Sequence, residues 1–233
     1  MPELPPPLPP ARRTVGQLVA ESIRAYGQSF WRCLPLGLPL AAADELSVHR
    51  TAAVQALVYW VLAPAFVAAY LWACRVVLGA RPTRTAALIA LLVYLPFPAL
   101  RSVYILPGLA WFAFMGLSVP AAAVERRPFR DALVRGRRLG SADYAHALGS
   151  LAALVIVVGL GANVLSALLH SQGDAGLRAG LFLADVVLSP LLFLGGALLY
   201  VDQAARVRSP ADAALHPPVE ADPAGRPNAG VEP

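Results

Sequence analysis

No lysine occurs in the 233 residues, and all 19 basic side chains are arginine. With the richness in Ala, Leu, Pro and Gly, this points to a GC-rich coding bias, so a single arginine carries less chemical meaning than usual. Charge of either sign is scarce, at 14% of residues, where soluble domains carry about a quarter. A soluble globular fold is thereby excluded. Cysteine is scarce too: Cys33 and Cys74 are too few for a disulfide framework or a thiolate metal site. Four histidines (His49, His146, His170, His216) show no HExxH or other ligand spacing. There is no GxSxG elbow, glycine-rich phosphate loop or pair of intramembrane glutamates. We therefore expect no catalytic residue, no metal and no cofactor. No apolar h-region follows Arg12 and Arg13, so a cleavable signal peptide is not expected.

What the chain has is apolar length: 58% hydrophobic residues and a mean hydropathy of +0.60. The expected fold is an all-α polytopic membrane protein. Residues 1–12 read as a proline-rich disordered tail, with six prolines in Met1–Pro10. Residues 13–33 read as an amphipathic helix. Thr14 and Gln17 have capping-box spacing, and Val15, Leu18, Val19, Ile23, Tyr26 and Phe30 recur at three- and four-residue steps. It lies either in the cytoplasmic interface, anchored by Phe30 and Trp31, or on the protein's own inner face. Residues 34–203 form the membrane domain, and 204–233 a disordered cytoplasmic tail.

The domain is organised around Leu106–Gly140, LPGLAWFAFMGLSVPAAAVERRPFRDALVRGRRLG, a charge-free run that stops at Arg126, Arg127, Arg130, Arg135, Arg137 and Arg138. Apolar spans that end in arginine face the cytoplasm there. Around this basic loop (125–144) fall Thr51–Val77, two crossings within Thr85–Val124, His146–Leu169 and Ala179–Tyr200. Leu34–Val48 is short and broken by Pro35 and Pro39, and its crossing is the open point. Six spans place sixteen arginines inside and three outside, which predicts a bacterial inner-membrane protein with both termini cytoplasmic.

The opening RRTVGQLVAESIRAYGQSFWRCLPL, the central segment and the stretch Tyr144–Ile156 resemble multi-pass bacterial proteins related to the membrane domain of glycerophosphoryl diester phosphodiesterases. The resemblance covers roughly residues 12–203. It implies motif positions Gly16, Tyr26, Phe30, Pro107, Gly108, Pro120, Glu125 and Arg138. At the end of the loop the chain departs from the family's Arg-Ser-Trp with Arg137-Arg138-Leu139. The soluble phosphodiesterase domain has no counterpart in this sequence, so the resemblance implies no phosphodiesterase activity.

Few residues invite chemistry. Asp185 lies inside the sixth apolar stretch, where a carboxylate needs a partner, a proton or water; Arg101 at the outer turn is the candidate partner. The pair reads either as a tether between helices or as a substrate or proton site. Asn163 and Ser166 share a helix face and could reach Ser189 or Asp185, with Gly159, Gly161, Gly195 and Gly196 allowing close approach. Glu125 reads as a partner for Arg127 or Arg75. The six loop arginines are candidate contacts for anionic lipid of the cytoplasmic leaflet. The net charge of +5 sits beside spans, so lipid rather than nucleic acid is the expected partner, besides an unidentified membrane protein or a second copy. The leading reading is a non-enzymatic scaffold, lipid-interacting or accessory component. The alternative is a small-solute or lipid transporter using Asp185, and an intramembrane enzyme stands third.

Overall fold

A computed structural model describes residues 9–169 and 173–207, without the side chains of residues 101–103, 174 and 175. Among the described residues every regular element is helical. The 1–8 part of the proline-rich tail, and 208–233 of the other, lie outside the described residues.

After a 3-10 turn at Pro10–Arg12, α1 (Val15–Gln28) opens with the capping box that its sequence encodes. The Thr14 hydroxyl accepts from the Gln17 backbone N–H at 3.3 Å, and Gln17 Oε1 accepts from the Thr14 backbone N–H at 3.0 Å. Leu18, Ser22 and Tyr26 are buried, whereas Ile23 is 50% exposed. α1 packs on the protein itself. It runs along the last helix, with Arg13 beside Asp202, Ser22 beside Gly195 and Tyr26 clustered with Leu191. The chain continues through α2 (Phe30–Cys33), a 3-10 turn (Leu34–Gly37) and α3 (Leu38–Ser47).

Prolines set the breaks that follow, each by removing an amide donor and crowding the preceding turn. Pro64 accompanies a 55° bend between α4 (Ala52–Val61) and α5 (Ala63–Leu78), and Gly79 (φ 64°) stops α5 before the Arg81 loop. Pro96 and Pro98 separate α6 (Arg84–Tyr94) from α7 (Phe97–Val103). Extended Tyr104 turns the chain into α8 (Ile105–Met115), where a turn was expected, and α9 (Ser118–Val124) follows. Pro120 cannot donate to Gly116 O, which accepts from the Val119 amide and from the buried Tyr70 hydroxyl, each at 3.3 Å. Likewise the indoles of Trp60 and Trp111 donate to Leu95 O (2.9 Å) and Val93 O (2.8 Å) near the Pro96–Pro98 break. In a low-dielectric bundle such donors replace the water that exposed carbonyls would need.

The basic loop forms α10 (Phe129–Ala142), followed by α11 (Tyr144–Leu169), α12 (Gly173–Leu188) and α13 (Pro190–Val207). α13 runs past the expected end of the membrane domain at residue 203: Ala204, expected in the tail, is a buried helical residue, as are Asp202 and Gln203 before it. Three helices are long and apolar enough to cross a membrane, Ile105–Val124, Tyr144–Leu169 and Gly176–Val207; the bent α4–α5 pair makes a fourth if counted as one. Only 17% of the most apolar part of α11 is buried, and Leu160, Val164 and Leu168 are 60–72% exposed. Apolar surface on this scale needs an apolar solvent.

Candidate functional site

Three polar regions stand out against this apolar frame. The first is a partly open cavity of about 500 Å³ lined by α3, α4–α9 and α11–α13, within the range of small-molecule sites, roughly 300–1,000 Å³. Its polar lining comes from Asp44, Glu45, Tyr59, Asn163, Arg178 and Asp185. Apolar residues such as Val119 and Leu151 also line it. One wall is aromatic: Tyr59 stacks on Phe66 (5.6 Å, 23°), Phe66 on Tyr94 (5.0 Å, 21°), and Tyr94 meets Phe97 at 5.7 Å. The Tyr59 hydroxyl donates to Asp44 Oδ1, and Arg178 Nε lies 4.0 Å from Glu45 Oε1.

Asp185 is half-buried on this cavity wall, and the Ser189 hydroxyl donates to its backbone carbonyl at 2.6 Å. The expected Asp185–Arg101 pair cannot be described, because the Arg101 side chain lies outside the described residues. Asn163 does not bond across to Ser189 or Asp185; its amide donates to Gly159 O of its own helix at 2.7 Å. Of the glycines expected to admit close packing, Gly161 does, since a Cβ there would sit 2.7 Å from a Leu188 methyl, as do Gly195 against Leu154 and Gly196 against Tyr70. Gly159 faces open space.

The second region is the arginine loop. Glu125 gathers Arg127, Arg135 Nε at 3.1 Å and the Tyr200 hydroxyl at 2.8 Å; Arg75 instead lies over the Trp72 ring, at 5.4 Å. Burial pushes the Glu125 carboxyl upward, but the hydrogen bonds from Arg127, Tyr200 and Arg135 outweigh it and hold the group below its ordinary range. Arg126, Arg130, Arg137 and Arg138 are exposed. Arg137 caps the Phe114 ring at 5.6 Å. Of the family-like positions, Pro107 is exposed in the first turn of α8, while Gly108 and Pro120 are buried.

α10 itself is seated by small residues. Ala132, Gly136 and Gly140 recur every fourth residue and are buried with Leu139. A Cβ on Gly136 would meet Ser118 Oγ at 2.0 Å and Ser118 Cα at 2.3 Å, and one on Gly140 would meet Phe114 O at 2.4 Å. The helix backbones therefore touch, the geometry that small-xxx-small spacing permits.

The third region escaped sequence reasoning. Asp202, fully buried, takes Arg13 Nη1 on Oδ1 at 2.6 Å. Arg206 donates to Arg13 O at 3.0 Å and pairs with Asp143, and Gln203 Nε2 donates to Asp143 O at 3.1 Å. His146 Nε2 stands 4.0 Å from Asp202 Oδ2. The chain before α1 is thus clamped to the end of α13 and the start of α11. Asp202 and Arg206 are four apart on an apolar helix, which hinted at a polar seam, but nothing in the spacing names Arg13 as the partner.

Among the described residues no three of His, Cys, Asp and Glu converge as metal ligands. Cys33 and Cys74 are buried free thiols. No family model matches this chain, and neither a curated protein nor a solved structure matches it.

Proposed function

We propose that this is a non-enzymatic, six-span bacterial inner-membrane protein that binds an amphiphile, a lipid or another apolar-tailed small molecule, in the cavity beside Asp185, as a permease-like or lipid-handling component. The observation that carries the reading is that cavity: apolar and aromatic over most of its wall, with a few charged groups, Asp44, Glu45, Arg178 and Asp185, in its lining. A closed scaffold has no need of such a volume, whereas an apolar chain with a polar head fits one.

The six-span topology rests on the alternating course of the chain. Phe30–Ser47 advances about 28 Å at helical and 3-10 rises. It runs antiparallel to α12, with Gly37 against Val186 and Glu45 near Arg178. The bent α4–α5 pair, Arg84–Leu100 and the three long helices supply the other crossings, and the arginine excess sets both termini inside. The resemblance to glycerophosphoryl diester phosphodiesterase membrane domains belongs to the same proposal. One of its positions has a structural job: Glu125 ties the loop to Tyr200.

The test fills the cavity. Ala162→Phe places a ring in its wall, away from the arginine loop. Purified wild-type protein should bind a dansylated fatty acid saturably, with a blue-shifted emission. The variant should bind it on the order of tenfold more weakly, about 1.4 kcal/mol, while melting at the wild-type temperature. Equal binding by the two proteins would show that the cavity is not the site.

A further inference from the structure

α10 has two unlike faces. Its small-residue seam locks the rotation of the helix against α8 and α9, so the opposite face is held outward. That face carries Arg130, Val134, Arg137 and Arg138, at i, i+4, i+7 and i+8, all exposed, Val134 to 69%. Arg127 and Arg135 of the same loop are held by Glu125, but among the described residues no carboxylate pairs with Arg130, Arg137 or Arg138.

The helix does not hang below the bundle. Gly140 lies against Phe114, and the Tyr144 hydroxyl donates to Ala110 O at 3.3 Å, so α10 runs back along the flank of the candidate span Ile105–Val124. Guanidiniums on the flank of a span stand beside the bilayer rather than in open solvent, where they reach for headgroup phosphates. At the C-terminal end of α10 an open, almost wholly apolar groove of about 520 Å³ runs from Ser141 and Tyr144 over Ala110, Trp111 and Phe114 to Leu100. Arg137 borders it, over Phe114. Arg137 and Arg138 precede Ser141 by four and three residues and so share its side of the helix.

We propose that this groove is a binding site for an anionic phospholipid: Arg137 and Arg138 take the headgroup phosphate, and an acyl chain lies along Trp111, Phe114 and Leu100. The site is separate from the cavity beside Asp185 and stands whether or not that cavity binds an amphiphile. Each basic residue near an anionic surface shifts partition by about fivefold. The pair therefore gives a preference for anionic over zwitterionic lipid on the order of 25-fold.

The experiment uses the full chain in nanodiscs and reads Trp111 fluorescence, taken as the difference from Trp111→Phe. Brominated phosphatidylglycerol should quench it at far lower mole fraction than brominated phosphatidylcholine. The doubly substituted Arg137→Gln/Arg138→Gln protein should lose that preference, and Arg137→Lys/Arg138→Lys should keep most of it. Arg81→Gln/Arg84→Gln, before and at the start of α6, should behave as wild type. Equal quenching by the two lipids would overturn the site, as would an unchanged preference in the Gln variant. Displacement of the lipid by a soluble acidic peptide or an oligonucleotide would overturn it in favour of a macromolecular partner.

Discussion

Replacing Gly136 with leucine should leave a protein that no longer folds to a monodisperse species in detergent. The Cβ alone would sit 2.0 Å from Ser118 Oγ and 2.3–2.4 Å from Ser118 Cα and N. Those are backbone atoms of α9, and Ser118 is fully buried, so neither side can yield by a side-chain rotation. Relief requires α10 to lift away, which uncovers Ala132 and Leu139 and breaks the Arg135–Glu125 contact. Overpacking of a core usually costs about 1–3 kcal/mol, and a backbone-to-backbone clash lies at or above the top of that range. Gly136→Ala should fall between leucine and wild type. Val134→Leu on the outward face should stay within about 0.5 kcal/mol. Thermal melting with size-exclusion profiles checks all three; a stable, monodisperse Gly136→Leu protein would mean that α10 is not seated through this seam.

Asp202→Ala is the second large effect. The Arg13 side chain is 14% exposed and the Asp202 side chain 0%. Removing the carboxylate strands a desolvated guanidinium, and breaking one partner of such a pair costs about 3–5 kcal/mol. Because Arg206 is bonded to both Arg13 O and Asp143, the loss should loosen the chain before α1 first. Trypsin should then cut after Arg12 and Arg13 much faster than in wild type, before global melting falls. The double variant Arg13→Met/Asp202→Leu should recover most of the stability, since a well-packed apolar pair of similar volume is often as stable as a buried ion pair. If Asp202→Ala melts and digests like wild type, the clamp contributes nothing.

The parts of this structure legible in the sequence are local in origin. Thr14 and Gln17 are three residues apart, and the capping box they form depends on nothing else. The break at Pro35 and Pro39 could be read in the same way, because each proline acts on its own preceding turn. Asp185 stood out because a carboxylate is costly among Phe182, Leu183 and Val186.

What was not legible depends on distant partners. Arg13 and Asp202 are separated by 189 positions, so one read as a topology signal and the other only as a residue near the end of the membrane domain. Ala132, Gly136 and Gly140 did carry their spacing openly, but the arginines between them drew the reading to charge. The aromatic wall of Tyr59, Phe66, Tyr94 and Phe97 joins four helices, and a cavity is a volume left between elements, which no periodicity encodes. Asn163 shows the opposite failure: its face was assigned, yet the bond went to its own helix.

The central claim is that the cavity beside Asp185 is reachable and holds a ligand. It is tested most directly by thiol labelling in intact cells, in a background with Cys33 and Cys74 replaced by alanine. Leu181, on the cavity wall and 38% exposed, lies one turn from Ala184, which is 1% exposed and turned into the bundle. An impermeant maleimide added from outside should label Leu181→Cys and spare Ala184→Cys. The dansylated fatty acid should slow the Leu181→Cys reaction, and Val134→Cys should react only after the cells are permeabilised. An unreactive Leu181→Cys, or one that the fatty acid does not protect, would contradict the account.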